Sequence, residues 1–270
     1  PRTKLIYLNF PSNPTGGVAG KALLEATAKV ILERCHPNVR VYSDEIYENI
    51  IFDGQQHRSI SSVPEMEERT IIAGGFSKTY AWTGGRIGYA VFPTVKEADI
   101  FKTLNINYFS CVPPYNQEAA KEALENPLSK VAVKEMVETF EARRNLIWRQ
   151  INEIPGITCQ KPGGAFYLFP NISGVCENLG LIEKHQRLSK EQQSSPDNIF
   201  QMFALYEHQV AVLDRKSFGQ IGADGKYFLR LSIAADQAVL EEGVRRLKAA
   251  SEDLSGLDKF LKERPDLIPA

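Results

Sequence analysis

The residues best equipped for chemistry in this sequence are a few charged side chains set against glycine and proline. Lys78 stands in Gly74-Gly75-Phe76-Ser77-Lys78-Thr79-Tyr80, and Arg86 follows in Gly84-Gly85-Arg86-Ile87-Gly88. A lysine between small residues at a strand end is placed to condense with a carbonyl as a Schiff base. Arg86 offers a planar, permanently charged fork that suits a phosphate. The segment resembles a Walker-type phosphate loop only superficially, because that loop needs Gly directly before the Lys and Ser77 stands there, so the nucleotide reading is weak. Most lysines are solvated surface residues, but the flanking glycines and the Arg-Ile-Gly that follows argue against that for Lys78. A second segment, Val41-Tyr42-Ser43-Asp44-Glu45-Ile46-Tyr47, ends an apolar run on an acid. A buried carboxylate needs a partner. A pyridinium N–H would be one, with Asp44 keeping that nitrogen protonated and Tyr47 donating its hydroxyl to a ring oxygen. Asp44 reads equally well as the cap of a following helix. A third, Asn9-Phe10-Pro11-Ser12-Asn13-Pro14-Thr15-Gly16-Gly17, makes a sharp turn in which a cis X-Pro bond is admissible. It would hold the Asn13 amide rigidly toward a ligand; alone, it is also an ordinary strand-to-helix loop. Finally, Arg230 lies between leucines in Tyr227-Phe228-Leu229-Arg230-Leu231-Ser232. Such a charge is rarely left unpaired. It meets either a structural carboxylate or, facing a cleft, the carboxylate of a substrate in a bidentate pair.

These residues must be positioned by regular elements. Leu5–Leu8, Val39–Ser43, Thr70–Ala73 and Ile87–Phe92 are rich in β-branched and aromatic residues and predict strands. Lys21–Arg34 carries Leu23, Leu24, Ala26, Ala28, Val30 and Ile31 at helical spacing. Strands separated by helix predict crossovers and a largely parallel sheet, with ligands at the strand ends. Beyond Pro113-Pro114 the texture changes. Gln117–Leu124 and a long, charge-laced Leu128–Ile154 predict helices, the second of a kind that often bridges domains. Ile157–Gln160, Ala165–Phe169, Val210–Leu213 and Tyr227–Ile233 predict strands, with helices at Asn198–His208 and Gln237–Ala250. Pro162-Gly163-Gly164-Ala165-Phe166-Tyr167 leads a close turn into the aromatic second of these strands. That order is α+β and predicts a smaller second domain. The expected division is residues 1–127 and 128–270. The polar stretch Asn178–Asp197 predicts an exposed insertion.

Composition narrows the classes. With 43% hydrophobic residues the chain can bury a sizeable core, or two unequal ones. Its 32 basic and 33 acidic residues leave a net charge of -1, so no basic field exists to draw nucleic acid or an anionic membrane. No apolar run is long enough to span a bilayer. Cys35, Cys111, Cys159 and Cys176 lie far apart with no CxxC pair, which predicts reduced thiols rather than a disulfide frame or a zinc site. The four histidines show no paired metal-ligand spacing along the chain, so no metal is expected. A cytoplasmic protein acting on small molecules is the expectation. The abrupt start, Pro1-Arg2-Thr3-Lys4 running straight into a strand, suggests a fragment.

Taken together and in this order, five motifs resemble the class I/II aminotransferases of the type I pyridoxal-phosphate fold. They are Asn13-Pro14-Thr15-Gly16, Ser43-Asp44-Glu45-Ile46-Tyr47, Phe76-Ser77-Lys78 through Arg86-Ile87-Gly88, Pro162-Gly163-Gly164-Ala165-Phe166-Tyr167 and Phe228-Leu229-Arg230-Leu231-Ser232. The resemblance covers nearly the whole chain. It implies an α/β, aspartate-aminotransferase-like architecture: a partial large domain with a mostly parallel sheet, and a smaller α+β C-terminal domain. It implies pyridoxal 5'-phosphate as cofactor, joined to Lys78, which then moves a proton between substrate and cofactor. Asp44 would hold the pyridinium proton; Asn13 and Tyr47 would bond the ring oxygen; Ser77 and Arg86 would bind the phosphate. Arg230, with Asn13 nearby, would bind the α-carboxylate of an amino acid, which exchanges its amino group with a 2-oxo acid. A homodimer is implied as well. Trp82 departs from the family, which usually has a smaller aliphatic residue or Met there. The family also has an N-terminal segment carrying a glycine-rich phosphate loop and a stacking aromatic. Neither occurs before Pro1, and the expectation is that these 270 residues alone bind the cofactor weakly or not at all. Alternatives are a lyase or synthase of the same fold, the effector domain of a transcription regulator, and a cofactor-free structural relative.

Overall fold

The computed structural model describes residues 2–187, 194–219 and 225–267. By its contacts the chain forms two units, Pro1–Thr139 with Gly163–Ala165, and Phe140–Pro162 with Phe166–Ala270. The division falls inside one long helix.

The first unit is built on a four-stranded sheet ordered β1 (Leu5–Asn9), β2 (Arg40–Asp44), β3 (Thr70–Gly75) and β4 (Gly88–Val91). The first three strands are parallel, and β4 pairs antiparallel to β3. All four predicted strands are present, and the sheet is largely parallel as expected. The crossover from β1 to β2 is α1 (Lys21–Arg34), at the predicted bounds. Its Leu24, Ala28 and Ile31 pack with Val41, Ile60 and Met66, against Ile6 and Leu8 of β1. Alternation along a strand therefore commits Ile6, Leu8 and Val41 to the helix-covered face. Tyr7, Asn9, Tyr42 and Asp44 are sent to the other. Three helices complete the unit: α2 (Val95–Phe109), α3 (Pro114–Glu125) and the first part of α4 (Pro127–Asn152). The periodicity reading missed α2, whose apolar residues do not collect on one buried stripe: none of its residues is buried.

The second unit holds a small antiparallel sheet, ordered β5 (Tyr167–Leu168), β7 (Leu229–Ser232), β6 (Leu213–Asp214). Around it lie α5 (Ser173–Asn178), α6 (Leu181–Arg187), α7 (Pro196–Tyr206), α8 (Gln237–Glu252) and α9 (Leu254–Glu263). Its core joins Ile147 and Ile151 of α4 with Phe200 and Phe203 of α7, Leu247 of α8 and Phe260 of α9. Two expectations need correction. Ile157–Gln160 is no strand; it makes one bridge, Thr158 to Asn171. The stretch Asn178–Asp197 is not simply an exposed insertion. Leu179 and Leu181 enter the core, and Asp197 is buried at the start of α7, where it accepts from Ser195 Oγ and from the Arg215 amide. Its polar composition hid two short apolar anchors; its residues 188–193 lie outside the described ones.

Candidate active site

The C-terminal edge of the parallel sheet gathers most of the residues singled out above. Asn9, Asp44 and Ala73 stand in register across β1, β2 and β3. Asp44 is therefore the last residue of the middle strand. Lys78 follows the end of the neighbouring parallel strand β3, so both lie at one edge of the sheet. Half-buried Asp44 accepts the Tyr7 hydroxyl on Oδ2 at 2.6 Å and the Ile46 amide on Oδ1 at 3.3 Å. The second contact is a local turn, so Asp44 closes the turn after β2 and caps no helix. Tyr47 is 3% exposed, and the Lys78 ammonium lies 5.9 Å from the centre of its ring. Asp44 and Tyr47 thus share one turn, and Lys78 reaches it from the next strand.

The turn bearing Lys78 is anchored by aromatic packing. Phe76 stacks on Tyr80 with ring centres 5.2 Å apart and meets the edges of Trp82 and Tyr89. Trp82, the departure noted from the family pattern, lies flat over Gly85. A Cβ on Gly85 would come within 2.3 Å of the indole, so this bulky residue fits only because its neighbour has no side chain. Arg86 follows with φ +49°, left-handed for a non-glycine residue, at the end of a 3-10 turn, Thr83–Gly85. Such strain concentrates where a backbone is committed to a task. Its guanidinium is exposed and donates to the Thr83 carbonyl at 2.8 Å. Arg86 therefore lies close along the chain to Lys78 but is turned onto its own loop. Ser77, half-buried, sits within the Lys78 turn.

The Asn13 loop is tied to the same edge. Asn9 Oδ1 accepts the Asn13 amide at 2.7 Å, while Asn9 Nδ2 donates to the Asp44 carbonyl at 3.4 Å. Both the Phe10-Pro11 and Asn13-Pro14 bonds are cis. Gly16, at φ +67°, turns its carbonyl to accept the amides of Gly163 and Gly164 at 2.9 and 3.0 Å. The Ile50 carbonyl accepts the Ala165 amide. A Cβ at Gly164 would approach the Ile50 oxygen to 2.8 Å, which is why this turn is made of glycine. Gly163–Ala165 therefore belongs with the first unit, clamping the Asn13 loop to the residues after Tyr47.

Sequence reasoning missed a polar cluster on the opposite face of β2. Glu45 is 4% exposed and accepts from Ser43 Oγ at 2.8 Å and Ser59 Oγ at 2.5 Å, and pairs with His57 Nε2 at 2.6 Å. Burial alone would raise its carboxyl, but the bonds from His57, Ser59 and Ser43 together outweigh that and hold it below the usual carboxylate range. With Glu48, Glu45 and His57 also bring potential metal-ligand atoms within 4.8 Å of one another, a proximity that linear spacing does not reveal. Only alternation along β2 hinted at this cluster: Ser43 and Glu45 must face away from Asp44.

In the second unit, Arg230 sits on β7 opposite Leu213. Its guanidinium lies 4.4 Å from the Tyr167 ring centre and 5.0 Å from that of Phe218, a cation held between two aromatic faces. The turn carrying Phe218 is fixed by buried Asp214, which accepts from Ser217 and from Asn198 Nδ2 at 2.9 Å. Tyr167 and Phe218 were not foreseen as its surroundings. They converge from β5 and the turn after β6. The four cysteines are all unpaired, and among the described residues no helix is long and apolar enough to cross a membrane.

Comparison with known proteins follows the same lines. The family described as Aminotransferase class I and II matches residues 1–247. The chain is 38% identical over 254 residues to a "Probable aspartate/prephenate aminotransferase" of Aquifex aeolicus (strain VF5), covering 94% of this chain and 58% of that protein. It is 36% identical over 266 residues to "Aromatic-amino-acid aminotransferase 2" of Thermococcus litoralis, covering 98% and 59%. Among solved structures, the aromatic aminotransferase of Pyrococcus horikoshii OT3 superimposes with a TM-score of 0.78 at 34% identity, over 94% of this chain and 61% of that one. The aspartate aminotransferase of Rhizobium meliloti does so with a TM-score of 0.79 at 33% identity, over 93% and 59%. The chain thus spans under two thirds of the length of the relatives it matches.

Proposed function

This chain belongs to the class I and II aminotransferases and carries the aspartate-aminotransferase fold, and from that premise we propose that the protein is a pyridoxal-phosphate-dependent aminotransferase. It moves an amino group from an L-amino acid, aspartate-type by preference, to a 2-oxo acid. The names of the relatives support an aspartate or aromatic donor. A homodimer in the cytoplasm is part of the same proposal.

The observation that carries it is the gathering of an amine, a phenol and a carboxylate at one sheet edge. Lys78 lies over Tyr47, and Asp44 ends the adjacent parallel strand. That donor set fits a ring with a basic nitrogen at one end and an aldehyde and hydroxyl at the other. When bound, the cofactor supplies an electron sink for the carbon that loses its proton. The chain's own residues do the rest. Asp44 offers a carboxylate to a ring N–H, and its charge keeps that proton in place. Lys78 would hold the cofactor through its aldehyde, and its amine is placed to carry a proton to and from the substrate carbon. Tyr47, fixed by burial, donates its hydroxyl toward the ring oxygen, with Asn13 as second donor. Ser77 and Arg86 bind phosphate, Arg86 through N–H groups other than the one given to the Thr83 carbonyl. Arg230 binds the substrate carboxylate, its plane held by Tyr167 and Phe218.

The test is the full-length protein mixed with pyridoxal phosphate. It should show cofactor absorbance that Lys78→Ala abolishes, and should transfer the amino group of L-aspartate to a 2-oxo acid. Release of ammonia and pyruvate without need for an acceptor would instead identify a lyase.

A further inference from the structure

We propose that Tyr7 is a positioning residue for Asp44, holding its carboxylate from below so that the free side faces the strand end where a ring nitrogen would lie. This rests on the function proposed above. The geometry is specific. Tyr7 stands in register with Tyr42, one step before the Asn9–Asp44 pair, and on the same sheet face as Asp44. Its hydroxyl therefore reaches Asp44 Oδ2, at 2.6 Å, from the N-terminal side of the strand. Ligands of open parallel sheets approach from the C-terminal side. The Ile46 amide takes Oδ1. Between them the two donors fix the plane of the carboxylate, and each oxygen keeps a lone pair for a further donor. The Tyr7 ring is itself oriented, stacked on Tyr42 with centres 5.6 Å apart and planes 15° from parallel.

The direction of the bond follows from the proton inventory. An ionised carboxylate only accepts, so Tyr7 is the donor. Partial burial and the bond to Asp44 both raise the Tyr7 hydroxyl above the ordinary phenol range, so it keeps its proton throughout the working range. The titratable groups sharing this face are Tyr7 from β1 and Tyr42 on β2 itself; β3 opposes Asp44 with Ala73. Tyr42 is also raised, by burial and then by the Asp44 charge. A hydrogen bond to the charged form of a carboxyl favours ionisation. Tyr7 would thus support the charged, accepting form of Asp44 and leave its remaining lone pairs for the ring N–H. Neither residue of the pair announces the other: they lie 37 positions apart.

The experiment is an acid titration of the bound cofactor's absorbance in the full-length protein, for the wild type, Tyr7→Phe and Tyr42→Phe. Phenylalanine keeps the stack and deletes only the hydroxyl. Tyr7→Phe should move the acid midpoint up by about one pH unit, while Tyr42→Phe leaves it in place. A Tyr7→Phe titration that superimposes on the wild type overturns the proposal while leaving the aminotransferase reading intact. Loss of the fold in Tyr7→Phe, seen by circular dichroism, would make Tyr7 structural and overturns it too. Absence of any Lys78-dependent absorbance in the wild type removes the underlying function, and this inference with it.

Discussion

At the scale of single residues, the site depends on charges whose neighbours decide what they can do. Lys78→Ala should lower amino transfer by about a thousandfold or more, because it removes the amine that lies over Tyr47; steady-state rates measure it. Asp44→Asn keeps the size and removes the charge. It should retain cofactor absorbance while the turnover rate falls about a hundredfold. The Glu45 cluster makes a separate prediction about stability. Its folded carboxyl lies below the usual value of 4.5, so the stabilisation is complete above that pH and is lost as the pH falls through the folded value. Removing a donor by His57→Leu should raise the folded value and move this loss to higher pH. It should also destabilise the protein at neutral pH by about 1–3 kcal/mol, since a buried carboxylate loses one of its three partners. Urea unfolding at stepped pH would show both effects; an unchanged acid profile would mean that His57 does not hold Glu45.

At the scale of elements, the strands and α1 were legible because their signals are local. Alternation and β-branching mark Arg40–Asp44, and a 3.6-residue period marks Lys21–Arg34. Where the signal is not local, it failed. The helix Val95–Phe109 buries nothing and so shows no stripe, and Thr158 joins Asn171 by one bridge only. The short helices Ser173–Asn178 and Leu181–Arg187 look polar on average, yet the first buries Val175 and Cys176 and the second Leu181. The turn from Phe76 to Arg86 is where element geometry is tightest. Gly85→Ala would drive a methyl group into the Trp82 indole and should destabilise the protein by about 1–3 kcal/mol. A Gly85→Ala/Trp82→Met pair should recover most of that loss; thermal melts of the two variants decide the matter.

At the scale of the whole molecule, the described residues form two hydrophobic cores rather than one. Separate cores predict separable unfolding. Phe203→Ala, in the fully buried centre of the second unit, should cost about 3–5 kcal/mol and shift one denaturation transition while leaving the other near its place. A single transition that shifts as a whole would show that the two units unfold together. The order of motifs, the strands that precede them and the family they point to were set by the linear sequence alone. Glycine, proline and side-chain periodicity act over a few residues, and order along the chain survives in any fold. Only the tertiary structure decided which distant groups meet. It put the Tyr7 hydroxyl on Asp44, closed His57 and Ser59 around Glu45, set Tyr167 and Phe218 about Arg230, and carried Gly163–Ala165 to the carbonyls of Gly16 and Ile50. Those partners lie from about a dozen to well over a hundred positions apart. What brings them together is the register between strands and the burial of the faces around them, which no short window of sequence contains.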